Sequence, residues 1–380
     1  MKKKLFWWIQ QTDKIGGTES LTINLINNLC DVFDITLITT SNNEGGCLYD
    51  IDSRVKIYSI GIPSEVTTCD QSFIKIRGFH PFKNIKLAFR VFYWFFIKKK
   101  SIKRKIKQMV GDNVLICTEY DSYFLSPNNI KKIYHYNYNF SHLNSLPVRF
   151  GFLLIKKPDK FIVLSKETFD KVINSKKKFN CEIDYIFNPC RFRSTLNLAY
   201  HNNNIIFVGR LCEQKNPIMA LEIAKSLKDR SFGFHLNIYG SGPLLEKVFL
   251  YIKDNKLDDC VAVNEPTKDI QSKFLESDLL LMTSVYEGFP LVKIEASSQS
   301  VPTIMRNIGD STNEIIENEI DGYLIDGGVK EYADKIIEIL SDKEKLIKIK
   351  ETSYKRSFLW NIDLIKPKWI KLINSEFDKR

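Results

Sequence analysis

No run of about twenty consecutive apolar residues occurs in the 380-residue sequence, so no segment is composed to cross a bilayer as a helix. Histidine is scarce, with five residues, and the eight cysteines include no Cys-x-x-Cys pair and no His neighbour. That pattern excludes a structural zinc framework and predicts reduced, mostly buried thiols, as in a cytosolic protein. A buried strand is expected at the start rather than a cleavable leader. Lys2-Lys3-Lys4 and the apolar run Leu5–Ile9 imitate its beginning, but the run is short and Gln10-Gln11-Thr12-Asp13 ends it without a small-residue cleavage site. The run reads as a first buried strand. Acidic residues are scarce in one half only: residues 1–190 carry 29 Lys/Arg against 17 Asp/Glu, and residues 191–380 carry 27 against 28. The net charge of +11 therefore resides in the first half, which predicts one face meeting something anionic rather than a general affinity for nucleic acid.

The hydrophobic share of 44% and charged share of 27% are those of an ordinary globular chain, long enough for two domains. Apolar strand candidates alternate with amphipathic segments along both halves. The first half offers strands at 4–9, 33–39, 55–60, 114–118, 132–136 and 160–164, with helices at 20–30 and 84–110. The second offers strands at 205–208, 235–239, 261–263, 279–283 and 303–305, separated by six helical segments. This alternation predicts an α/β protein with a parallel sheet in each half. Asn188-Pro189 and the polar run His201-Asn202-Asn203-Asn204 place the boundary near 188–203. The expected division is residues 1–188, residues 189–355, and a final helix over 356–380.

Chemistry concentrates in Tyr286-Glu287-Gly288-Phe289-Pro290-Leu291-Val292-Lys293-Ile294-Glu295. An apolar strand precedes it and small residues follow. The expected order is strand, loop with available backbone N–H groups, and a helix carrying Glu295, a site suited to anions and hydroxyls. Upstream, Phe207-Val208-Gly209-Arg210-Leu211 and Glu213-Gln214-Lys215-Asn216-Pro217 set two cations across one loop, where both heads can meet one anion. Pro217 suits a first helical turn. Tyr239-Gly240-Ser241-Gly242 forms a second strand–glycine–helix junction, and Ile15-Gly16-Gly17-Thr18-Glu19 a third.

Together these motifs resemble family-4 glycosyltransferases, whose signature is a Glu, seven residues and a second Glu gripping a nucleotide-sugar donor. The resemblance implies the GT-B fold, two Rossmann-like domains facing a cleft, with the last helix crossing back to the first domain. It implies a retaining enzyme in which Arg210 and Lys215 neutralise the leaving diphosphate, Glu287 attends the donor sugar and reacting centre, and Glu295 binds ribose hydroxyls. Gly209, Gly240, Gly242 and the backbone of Gly288, Phe289, Pro290, Leu291 and Val292 would line the donor. Gly16, Gly17 and Glu119 (with Asp121 nearby) would face the acceptor side. The family's histidine would fall on His135, at the end of a strand, with Asn137 or His142 as other alignments and His80 in a loop. No cofactor and no metal are expected: Asp50-Ile51-Asp52 precedes a strand and has no donor motif beside it.

Residues 83–107 join an aromatic stretch to Lys98-Lys99-Lys100, Lys103, Arg104, Lys105 and Lys107. This fits a peripheral anchor on anionic lipid, and equally a buried helix with a solvated basic end; single-stranded nucleic acid is the remote third. The resulting expectation is a cytoplasmic glycosyltransferase, peripheral on the inner face of the membrane. It would take a UDP- or GDP-sugar and a glycan or lipid-linked acceptor in bacterial capsule, lipopolysaccharide or exopolysaccharide assembly. The alternatives are a nucleotide-sugar 2-epimerase on the same fold and a non-catalytic nucleotide-sugar-binding scaffold.

Overall fold

The computed structural model describes residues 2–13, 16–41, 47, 49–62, 93, 97–137, 158–174, 181–309 and 311–378. The chain forms two units, Met1–Phe187 with Ile365–Arg380, and Asn188–Leu364.

Among the described residues of the first unit, seven strands run parallel in the order β3-β2-β1-β4-β5-β6-β7. They are β1 (Lys4–Ile9), β2 (Asp34–Ser41), β3 (Lys56–Ile62), β4 (Val114–Cys117), β5 (Lys131–His135), β6 (Lys160–Val163) and β7 (Glu182–Tyr185). Trp7 stands opposite Leu37 on one side and Ile116 on the other. Such a strand, paired on both edges and covered on both faces, needs the unbroken apolar run that the sequence supplies. Helix Gly17–Leu29 connects β1 to β2 with Leu21, Leu25, Ile26 and Leu29 buried. Helix Ile362–Asp378 supplies the unit's last covering: the Trp369 ring lies 5.3 Å from that of Trp7, and Lys366 Nζ reaches Asp31 Oδ2 at 2.6 Å.

The second unit is a six-stranded parallel sheet, β10-β9-β8-β11-β12-β13. Its strands are β8 (Asn204–Val208), β9 (His235–Tyr239), β10 (Val261–Asn264), β11 (Leu279–Met282), β12 (Thr303–Arg306) and β13 (Gly322–Ile325). One face buries Ile205, Phe207, Leu279 and Leu281 under helices Pro217–Asp229 and Val329–Ser341. The other buries Ile206, Leu280 and Met282 with Phe274 and Ala296. Helix Pro217–Asp229 starts because Asn216 takes a left-handed conformation and its side chain accepts from Met219 N, while Pro217 occupies the first turn.

Strands β7 and β13 and the helices Tyr120–Leu125, Lys166–Asn174 and Lys343–Ser357 are additions to the sequence reading. The expected helix over 84–110 is described from Lys99 to Val110; residues 84–92 and 94–96 lie outside the described residues. The final helix expected over 356–380 begins at Ile362 instead. Before it comes a 3-10 turn, Phe358–Trp360, after which Asn361 is extended and its side chain accepts from Asp363 N at 2.9 Å, an Asx turn that restarts the chain. Among the described residues no helix is long and apolar enough to cross a membrane.

A fully buried ion pair ties helix Leu291–Ser298 to the turn before β13: Lys293 Nζ is 2.5 Å from Asp321 Oδ2. Asp321 also accepts from Glu317 N and lies 3.5 Å from Arg356 Nε. Removing one member strands the other without water, so Asp321→Ala should destabilise the protein by about 3–5 kcal/mol, read as a lower denaturation midpoint.

Candidate active site

Parallel sheets of this kind wind outward in both directions from a central strand pair, and ligands settle beyond the carboxyl ends of that pair. In the second unit the reversal lies between β8 and β11. The loop leaving β8 carries Gly209, Arg210 and Lys215; the loop leaving β11 carries Glu287.

These two loops are bonded to each other. Val285 N donates to Gln214 O at 2.8 Å, Gln214 Nε2 to Tyr286 O at 3.1 Å, and Thr283 Oγ1 to the carbonyls of Lys215 and Asn216 at 3.0 and 2.8 Å. Lys215 Nζ then reaches Glu287 Oε1 at 2.6 Å. Glu287 is 7% exposed, whereas Arg210 is exposed. The loop after β9 closes on the same place: Leu211 N donates to Ser241 O at 2.8 Å. A Cβ on Gly240 would stand 2.0 Å from Gly209 O, and one on Gly242, whose φ is +154°, 2.5 Å from Leu211 O. These two glycines therefore permit loop-on-loop packing. Gly209 differs, since a Cβ there would make only ordinary contacts with the Lys215 side chain.

Helix Leu291–Ser298 begins directly after Pro290, with Phe289 buried and Leu291 and Val292 in its first turn. Its early N–H groups point out of the helix start, as in any α-helix. Glu295 sits one turn further in, 6% exposed, with Arg191 Nε 2.7 Å from its Oε1 and Arg191 Nη2 donating to Oε2 at 3.3 Å. Burial pushes its carboxyl above the ordinary value and Arg191 opposes that shift. Arg191 escaped the sequence reading because it lies in the segment assigned to the domain boundary. Thr283 and Asn216, which fix the loops, were legible only as a strand end and a turn residue.

In the first unit the reversal lies between β1 and β4. Helix Gly17–Leu29 opens after β1, and Gly16 N donates to Tyr49 Oη at 2.9 Å. Glu119 follows β4, and its Oε2 accepts from Gln10 N at 2.8 Å. Burial, Asp121 and Glu19 together hold the Glu119 carboxyl well above the usual carboxylate range. Asp52 is occupied by Arg54, whose Nη2 lies 2.6 Å from its Oδ2. Among the described residues no three His, Cys, Asp or Glu side chains gather as a metal site.

His135 ends β5, but its ring is fully buried. Trp369 stands edge-on at 4.9 Å and Trp7 at 6.2 Å, and neither ring nitrogen has a hydrogen-bond partner among the described residues. The structure thus places His135 between two indoles. Asn137 lies two residues on; His80 and His142 lie outside the described residues. Burial lowers the His135 pKa from 6.5 to about 3, so its neutral form is the one folding favours. Unfolded chains take up that proton near pH 6.5; stability should fall as pH drops below this value toward 3. His135→Phe should flatten that part of the pH–stability curve, measured by denaturant unfolding from pH 7 to 4.

Residues 191–356 match the family described as Glycosyl transferases group 1. A Haemophilus influenzae glycosyltransferase is 23% identical over 97% of this chain and 99% of its own length. A Campylobacter jejuni alpha-1,4-N-acetyl-D-galactosaminyltransferase, named for an undecaprenol-linked glycan, is 24% identical over 94% of this chain and 95% of its own. Among solved structures, Staphylococcus aureus TarM, with UDP and alpha-GlcNAc-glycerol bound, superposes with a TM-score of 0.75 at 16% identity, covering 98% of this chain and 100% of that one. The fold is thus that of GT-B glycosyltransferases, and the segment that holds Arg210, Lys215, Glu287 and Glu295 is the part of the chain that matches the group 1 glycosyltransferase family.

Proposed function

We propose that the protein moves a sugar from a nucleotide-diphospho-sugar to an acceptor hydroxyl, with retention and without a metal, in building a bacterial cell-surface polysaccharide on a lipid-linked acceptor. The observation that carries the reading is the Lys215–Glu287 pair at the reversal between β8 and β11. In this reading the diphosphate meets the exposed Arg210 and draws on Lys215, the two cations standing where a metal would otherwise neutralise charge. As the bond from the anomeric carbon to the diphosphate breaks, both cations take up the growing charge, the acceptor oxygen bonds to the sugar, and the acceptor's proton passes to the departing diphosphate. Glu287 attends the sugar hydroxyls, and Glu295 those of the ribose. The C. jejuni relative's undecaprenol-linked glycan supports the acceptor class, and the UDP bound to TarM supports a uridine donor.

The donor assignment is tested by thermal shift with UDP-, GDP- and ADP-sugars. One nucleotide series should raise the melting temperature, by the equivalent of about 2.7 kcal/mol at a hundredfold excess over Kd, and the rise should vanish in Arg210→Ala and Lys215→Ala. No rise with any nucleotide-sugar sinks the reading.

A peripheral contact with anionic membrane belongs to the same proposal. Helix Lys99–Val110 buries Ile102, Ile106 and Val110 and leaves Lys100, Arg104, Lys105 and Lys107 exposed, with no acidic residue in its length. Its apolar stripe is spent on the core, so this helix offers lipid charge rather than an apolar wedge. Co-sedimentation with phosphatidylserine vesicles, weakening as salt rises and absent with phosphatidylcholine, is the expected result. Equal partition with and without anionic lipid removes the claim.

A further inference from the structure

The segment that enters the second unit, residues 188–195, has no regular structure, yet it is bonded along helix Leu291–Ser298. Cys190 Sγ approaches Ile294 O at 3.6 Å, Thr195 N donates to Ser298 O at 2.6 Å, and Gln299 Nε2 donates to Arg193 O at 3.0 Å. Cys190 N donates to Trp360 O at 2.8 Å, which fixes the segment from its other side. Arg191 sits in the middle of these ties. Its guanidinium spans both Glu295 oxygens and lies 4.6 Å from the Phe192 ring centre. The Glu295 side chain is 8% exposed and that of Arg191 28%.

A carboxylate offers about four lone-pair directions; Arg191 takes one through its Nη2 hydrogen bond to Oε2 and holds Oε1 by charge at 2.7 Å. The remaining lone pairs, their directions set by that contact, can accept from hydroxyls. A protonated carboxyl would be a poorer acceptor. Burial favours that form and Arg191 opposes it.

We propose that Arg191 is the positioning residue for Glu295: it turns the carboxylate so that its remaining lone pairs accept from the hydroxyls of the donor's ribose. This rests on the reading above in which Glu295 meets the ribose. It adds a determinant of nucleotide binding from outside the Glu287–Glu295 stretch, on the segment where the chain passes from one unit to the other.

The experiment compares Kd, by titration calorimetry, for the tightest-binding of UDP, GDP and ADP and for its 2′-deoxy form. Wild type should prefer the ribonucleotide by roughly tenfold or more, the scale of a hydrogen bond to a charged acceptor. Glu295→Gln and Arg191→Ala should each cut that preference to about twofold, and the double variant should cut it no further. Arg191→Lys keeps the charge that Glu295 needs to fold against and should recover part of the preference, so a poorly folded Arg191→Ala leaves the test standing. A preference lost in Glu295→Gln but intact in Arg191→Ala and Arg191→Lys overturns the role of Arg191 alone. No preference in wild type overturns the ribose assignment of Glu295 and the inference with it.

Discussion

In each sheet every strand is parallel to its neighbours, and in each the winding turns back once, between β1 and β4 and between β8 and β11. The connections that leave two such strands depart in opposite directions, so the space above their carboxyl ends stays uncovered by crossover helices. Loop residues carried to those ends face that space without any special device. Lys215 and Glu287 lie 72 positions apart in sequence, and the strand order alone makes them neighbours. Arg191 joins them by a different route, through a segment laid along a helix instead of a strand end.

The stretch from Glu287 to Glu295 holds three charges, and each is matched from elsewhere in the unit: Glu287 by Lys215, Lys293 by Asp321, Glu295 by Arg191. An eight-residue helix is too short to hold its own direction in water. Here opposite charges on three separate segments, together with the burial of Ile294 and Ala296, set its axis and its rotation. Ion pairs removed from water are poor sources of net stability, but breaking one is expensive, and that asymmetry makes them effective at specifying a single arrangement. Helix position and site chemistry thus depend on the same side chains.

Much of this was legible in the sequence. Strand positions followed from uninterrupted apolar runs, and the Glu287 stretch, Arg210 and Lys215 could be found because they sit at strand–loop–helix junctions of characteristic composition. What escaped did so for physical reasons. Strand β7 reads Glu-Ile-Asp-Tyr, an edge strand too polar to announce itself, and β13 reads Gly-Tyr-Leu-Ile behind a turn. Tyr239-Gly240-Ser241-Gly242 signalled close approach of something; only coordinates show that the Gly209 and Leu211 carbonyls are what approach. His135 carried the opposite risk, since a strand-end histidine has one sequence signature whether it meets a ligand or an indole. Arg191 had no local pattern at all, being defined by a partner 104 residues away.

The first unit is discontinuous: its sheet comes from the chain before Phe187, while its last covering helix comes after the entire second unit. During synthesis, therefore, Trp7 and His135 leave the ribosome long before Trp369, the residue that closes over both. The second unit, contiguous from Asn188 to Leu364, has its whole core available as soon as it has emerged, whereas the earlier-made unit waits with an aromatic patch uncovered. The order of birth and the order of completion are reversed, and the nascent first domain is the form of this protein that most needs shielding from aggregation.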